Sequence, residues 1–290
     1  MNTTTVALLG LGAMGSRMAQ NLLQAGYSIV VYNRTKQKAE PLLEQGATYA
    51  ETPRAAAAQA DIVISMVTDD QVSRQIWLDA ATGAAGGLGQ KAIAIESSTL
   101  SVGWTKELAA ELAGRGVAFL DAPVVGSRPQ AEAGNLIYLV GGTAAVLAQV
   151  QPVLKAAGAS AVHQIGEVGQ GMAMKLAVNA LFGIQVAAVA ELLGMLVKQG
   201  ISAEAAMASL AELPVTSPAA KLAGKLMLTG NHAPLFPIGL VEKDFRYVVQ
   251  TAAAAGTVAP VSAAVQEVYQ KAIAAGYEND NITGIIQLFS

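Results

Sequence analysis

The chain has 290 residues, 53% hydrophobic and 13% charged, with a formal net charge of −3 and no cysteine. That length and apolar content suffice for two domains with sizeable cores, and the missing cysteines exclude disulfides, thiolate metal sites and thiol nucleophiles together. The mildly acidic balance lacks the basic face that nucleic acid demands, so no nucleic-acid partner is expected.

In chain order, the opening stretch "MNTTTVALLGLGAMG" has no Lys or Arg before its apolar run, which breaks at Gly10. This predicts no signal peptide and a cytoplasmic protein. Val- and Ile-rich runs follow, "TTVALLG", "SIVVYN", "DIVISMV", "KAIAIES", "VAFLDAP", "NLIYLVGG" and "SAVHQIG", each with the length and composition of a strand. Between them, stretches such as 13–25, 101–114 and 144–157 read as helices, and "RAAAAQA" as an alanine-rich one. The alternation predicts an α/β fold, a Rossmann-type doubly wound parallel sheet with helices on both faces.

After "GEVGQG" only helical periodicity remains, over 169–198, 203–212, 217–228, 239–255 and 260–275. The expected organisation is therefore a dinucleotide-binding domain over 1–164 and an all-helical domain over 165–290. The second opens on a long interdomain helix and is expected to serve substrate binding and oligomerisation. Residues 172–197 are apolar enough to raise a membrane span, but Lys175, Asn179, Gln185 and Glu191 interrupt them. Intramembrane charges are costly, so a buried helix and no membrane partner are expected. His163 and His232 stand far apart without partners at ligand spacing, and no metal site is expected.

The motif that carries most chemistry is "GLGAMG", with Gly10, Gly12 and Gly15 in G-x-G-x-x-G spacing between a strand and an amphipathic helix. Gly10 permits the tight turn, Gly12 lets backbone approach a pyrophosphate, and Gly15 lets helix pack on strand. Leu11, Ala13 and Met14 complete the cradle, and the helix N-terminus faces the phosphate charge. The end of the second strand reads Asn33-Arg34-Thr35 where an NAD site would offer a carboxylate to the ribose. A guanidinium there would pair with a 2′-phosphate, so NADP(H) is the expected cofactor.

Farther on, "GMAMKLAVNALFG" places Lys175 and Asn179 four residues apart, on one face of an otherwise apolar helix. Burying an ammonium is expensive, so its presence there asks for a reason.

These motifs in this order resemble the β-hydroxyacid dehydrogenases, the family of 3-hydroxyisobutyrate dehydrogenase, tartronate semialdehyde reductase and the glyoxylate/succinic semialdehyde reductases. The resemblance rests on "GLGAMG", "ESSTLS", "DAPVVGSRPQAEAGNLIYLVGG", "GQGMAMKLAVN" and "FPIGLVEKDF", and spans nearly the whole chain. "NRT" after the second strand and the Gly-Ser pair at 126–127 look most like the glyoxylate/succinic semialdehyde reductases. The resemblance implies that Lys175 is the proton donor and that Asn179 helps hold the substrate. Chemistry agrees: hydride delivered to a carbonyl leaves an alkoxide that needs a proton, and a half-desolvated lysine gives one up more readily. The resemblance also places Thr99 beside both nicotinamide and substrate, and Met66 and Val67 along the cofactor. It implies a substrate-anchoring loop at Val125, Gly126 and Ser127, an aromatic wall at Phe236, and the pair Lys243 and Asp244 near cofactor and substrate. On the residues alone, that pair reads equally as exposed, and Phe236 as core.

One departure stands out. Val125 replaces the serine usual in the family, removing a hydroxyl from the anchor. The expected activity is NADPH-dependent reduction of a small aldehyde or aldehyde-acid. The alternatives are a 3-hydroxyisobutyrate or tartronate semialdehyde-type dehydrogenase, an imine reductase, and a non-catalytic NADP-binding module. The charge-poor chain and its apolar helix also predict a homodimer or homotetramer.

Overall fold

The structure is a computed structural model that describes residues 4–289; residues 1–3, where the stretch weighed as a leader begins, and residue 290 lie outside the described residues. The strands are β1 (Thr5–Leu9), β2 (Ser28–Tyr32), β3 (Thr48–Tyr49), β4 (Ile62–Ser65), β5 (Ile93–Glu96), β6 (Ala118–Asp121), β7 (Val124–Val125), β8 (Leu136–Gly141) and β9 (Ala159–Gly166). Between them run α1 (Gly15–Gln24), α2 (Glu40–Leu43), α3 (Pro53–Ala57), α4 (Asp70–Leu78), α5 (Val102–Ala113), α6 (Arg128–Glu132) and α7 (Ala144–Ala156).

The sheet order is β3-β2-β1-β4-β5-β6-β8-β7, with β9 beside β8. It is parallel from β3 through β6, whereas β8 runs antiparallel to β6 and β7. The doubly wound α/β class therefore holds, with an antiparallel element that strand runs alone do not announce. Side chains alternate between two cores. Val6 and Leu8 of β1 pack with Met18, Leu22 and Leu154 on one face. Ala7 and Leu9 pack with Trp77, Trp104 and Leu108 on the other. Apolar burial on both faces is why these strands read as unbroken hydrophobic runs. The order reverses between β1 and β4, the place where open α/β sheets bind ligands beyond their strand ends.

The helices that follow are α8 (Gln170–Lys198), α9 (Ala203–Glu212), α10 (Pro218–Leu228), α11 (Ile238–Ala254) and α12 (Pro260–Ala274), then a 3₁₀ stretch at Ile282–Leu288. The chain divides into two compact units, Met1–Lys175 and Leu176–Ser290, so the division lies inside α8 rather than ahead of it. The first turns of α8 pack with the α/β unit, where Met172 joins the core holding Trp77 and Leu100. In the helical unit, Val186, Ala190 and Leu193 of α8 pack with Met207, Ala223, Val241 and Phe245. Phe245 stacks on Tyr269 with ring centroids 5.5 Å apart.

Candidate active site

In the α/β unit, the three motif glycines are each required for a different reason. Gly10 has φ +102, and a Cβ there would run into the Met66 carbonyl. A Cβ on Gly15 would run into the Gly10 carbonyl. Gly12 is exposed, and nothing lies within 4 Å of where its Cβ would be. At Gly12 alone of the three, the chain itself leaves room for a side chain. α1 starts at Gly15 with no side-chain cap, whereas α3, α4, α5 and α7 each begin with a Thr, Asp or Ser that accepts a first-turn N–H. An uncapped first turn behind an open glycine loop fits a pyrophosphate.

Asn33 explains the missing carboxylate. Its Oδ1 accepts the Leu11 N–H at 2.9 Å, and its Nδ2 donates to the Thr35 carbonyl at 2.8 Å. An aspartate could accept the first bond but not donate the second. Asn33 therefore ties the glycine loop to the segment after β2 with its side chain, while Arg34 and Thr35 stay exposed. Lys36 is engaged by Glu51 at 2.8 Å; among the described residues neither Arg34 nor Lys38 has such a partner.

The loops after β4 and β5 are joined to each other. Met66 N–H donates to the Leu9 carbonyl and Val67 N–H to Ser98 Oγ, at 2.9 and 2.8 Å, and Thr99 is half-buried next to them. Beneath lies Glu96, fully buried. It accepts from the Ser73 hydroxyl at 2.8 Å, the Trp77 indole at 2.9 Å and the Ser98 N–H at 2.9 Å. Ser73 Oγ in turn accepts from the Trp104 indole at 2.9 Å. Glu96 holds Ser98, and Ser98 holds Val67, so one buried carboxylate sets both loops.

The expected anchoring loop differs from expectation in detail. Val125 stands in strand β7, paired with Ile137 of β8, and not in a loop. Gly126 has φ +129, and the Ser127 N–H is already committed to Gln130 Oε1 at 3.0 Å.

Asp121, at the end of β6, has no side-chain exposure to speak of and holds the start of α8. Its Oδ1 accepts the Gly169 N–H and its Oδ2 the Met172 N–H, both at 2.7 Å. A Cβ on Gly171 would come within 2.9 Å of the same carboxylate, so that position stays glycine. Burial pushes the Asp121 carboxyl above its usual range, against the pull of the two amides. Asp121→Ala is expected to orphan both amides, at about 1–3 kcal/mol for each left without an acceptor. A calorimetric melt checks this; an unchanged Tm would mean that the cap carries no stability.

Lys175 follows on α8 with 7% of its surface exposed, one turn before Asn179. In the helical unit, Asn179 Nδ2 donates to Asp244 Oδ2 at 2.6 Å, and Asp244 Oδ1 lies 3.2 Å from the Lys243 ammonium. Lys243 and Asp244 are buried, which removes the exposed-pair reading. The ammonium also sits 5.2 Å from the Tyr247 ring centroid. Asn179 thereby has one N–H fixed by Asp244, leaving its other N–H and its oxygen for a ligand. Phe236 is half-buried against the core of this unit, its N–H donated to Asn281 Oδ1 at 3.0 Å.

Sequence reasoning gave no role to Glu96 or Asp121. The signal was present: each ends an apolar strand run, "IAIE" and "AFLD", with a carboxylate that must be satisfied if buried.

Residues 5–169 match the family described as the NAD binding domain of 6-phosphogluconate dehydrogenase. Residues 169–289 match that described as NAD-binding of NADP-dependent 3-hydroxyisobutyrate dehydrogenase. The chain is similar to glyoxylate/succinic semialdehyde reductase 2, chloroplastic, of Arabidopsis thaliana, 32% identical over 99% of this chain and 80% of that one. It is 30% identical to glyoxylate/succinic semialdehyde reductase 1 of the same plant, over 97% of each. Among solved structures, 3-hydroxyisobutyrate dehydrogenase of Mycobacterium tuberculosis superimposes with a TM-score of 0.90 at 28% identity, covering 99% of both chains. Fold, glycine loop and these matches together define an NAD(P)-dependent oxidoreductase. The chain belongs to the β-hydroxyacid dehydrogenase family.

Proposed function

We propose that this enzyme uses NADPH to reduce small aldehydes or aldehyde-acids, of the glyoxylate or succinic semialdehyde type, with Lys175 as proton donor. The observation that carries the proposal is a lysine almost wholly withdrawn from solvent, one turn from an asparagine whose amide is partly held by Asp244. The names of the two plant relatives support the substrate class.

When bound in the Gly10–Gly15 cradle, NADPH would supply a hydride for the carbonyl carbon. Lys175 Nζ gives its proton to the carbonyl oxygen as that oxygen takes on charge, and in the reverse direction Lys175 takes the proton back. Asn179, with Asp244 fixing one N–H, presents the other to the substrate without rotating away. Thr99 and the Gly126–Ser127 segment orient substrate, and Met66 and Val67 flank the cofactor. Gly10 to Gly15 receive the pyrophosphate, with Gly12 the point of close approach.

Arg34 is proposed to pair with the 2′-phosphate, aided by Thr35, and its exposed guanidinium, which no carboxylate pairs with among the described residues, supports this. Wild type is expected to prefer NADPH to NADH in kcat/KM, and Arg34→Ala to reduce that preference at least about tenfold, mainly through KM for NADPH. Equal use of both cofactors by wild type, or an unchanged ratio in the variant, would refute the assignment.

We also propose a homodimer or homotetramer. Met174, Leu181, Leu192 and Met195 of α8 are 43%, 62%, 42% and 51% exposed, and they recur at helical spacing along one side. Light scattering at micromolar concentration should show an oligomer; a monomer alone would refute it.

A further inference from the structure

The segment expected to receive the substrate's carboxylate is short of donors. Val125 has no hydroxyl to offer, and the Ser127 N–H already donates to Gln130. The next residue is Arg128, the first of α6. Its Nε is sequestered from solvent and has no hydrogen-bond partner. Among the described residues no carboxylate pairs with its guanidinium, whereas Arg17 and Arg74 each have a glutamate. Glu132, the acid that α6 itself carries, is held by Arg17 at 2.6 Å. A guanidinium N–H removed from water with no acceptor is unfavourable. A carboxylate relieves that best, because its two oxygens match the planar fork of arginine.

We propose that Arg128 determines specificity by binding the substrate's carboxylate, in place of the hydroxyl that Val125 lacks. The substrate class is thereby narrowed to short aldehydes that carry a carboxylate, and neutral aldehydes are disfavoured. The inference rests on the reductase reading given above.

The test compares each acid with its own methyl ester: glyoxylate with methyl glyoxylate, and succinic semialdehyde with its methyl ester. Wild type, Arg128→Gln and Arg128→Lys are assayed with NADPH, after titration with NADPH to count folded sites. Wild type should favour the acids. Arg128→Gln should lose about ten- to hundredfold in kcat/KM on the acids, mostly in KM, and little on the esters. Arg128→Lys, which keeps the charge without the fork, should recover part of the loss. Equal losses on acid and ester, or a change in KM for NADPH alone, would overturn the assignment of Arg128 while leaving the reductase standing. Reduction of neither acid nor ester by wild type would overturn the reductase reading, and this inference with it.

Discussion

Lys175→Ala is expected to lower kcat for aldehyde reduction by about 10²–10⁴, the usual worth of a positioned proton donor. NADPH affinity should survive, because the cofactor contacts proposed here lie in the Gly10–Gly15 loop and at Arg34, on other elements of the α/β unit. The fold should survive as well. The first turns of α8 are pinned by Asp121 through the Gly169 and Met172 amides, which the substitution leaves in place. Because the donor acts only as charge develops on oxygen, kcat and kcat/KM should fall together. Stopped-flow oxidation of NADPH, with NADPH binding followed by fluorescence, separates the two effects. Near-normal turnover in a folded variant would remove Lys175 from the chemistry.

The second large effect separates two glycines of one motif. Gly12→Ala is expected to leave Tm nearly unchanged, because its Cβ meets nothing within 4 Å. Dinucleotide affinity should nevertheless fall at least about tenfold, since the added methyl occupies the space in which backbone approaches pyrophosphate. Gly15→Ala should behave in the opposite sense. Its Cβ meets the Gly10 carbonyl, so α1 must shift from β1, at a cost of about 1–3 kcal/mol as in other overpacked sites. Thermal melts beside NADPH titrations distinguish the variants. A Gly12→Ala protein that binds NADPH normally would contradict the role given to the loop.

The contrast between those glycines shows how much of the site was legible in the sequence. The motif's spacing and its place between strand and helix made legible the steric need for glycine at Gly10 and Gly15, where a Cβ would meet a backbone carbonyl; for Gly12, with nothing within 4 Å of its Cβ position, the role remains the one proposed above. The strands were legible too, because Val6 and Leu8 face one core while Ala7 and Leu9 face the other. β3 and β7 were not, since two residues carry no period. The reversed direction of β8 was also hidden, because an apolar run reads alike both ways. Asn33 was legible as an absent carboxylate but not as a brace, because its two bonds join Leu11 and Thr35 across a loop. The Ser127–Gln130 bond follows a capping-box spacing that can be read directly, and it engages the Ser127 N–H alongside the substrate role proposed for that segment. Burial of Lys243 and Asp244 depends on the fold around α11, and no local pattern distinguishes it from an exposed pair.

The central claim is that hydride passes from NADPH to an aldehyde carbon while Lys175 protonates the oxygen. Its most direct measurement is reduction of glyoxylate with NADPH carrying deuterium at the transferring nicotinamide position, with mass spectrometry of the glycolate formed. Glycolate with one deuterium on the hydroxyl-bearing carbon from wild type, and almost none formed by Lys175→Ala in the same time, is the expected result. Glycolate free of deuterium, or equal amounts from the two proteins, would contradict it.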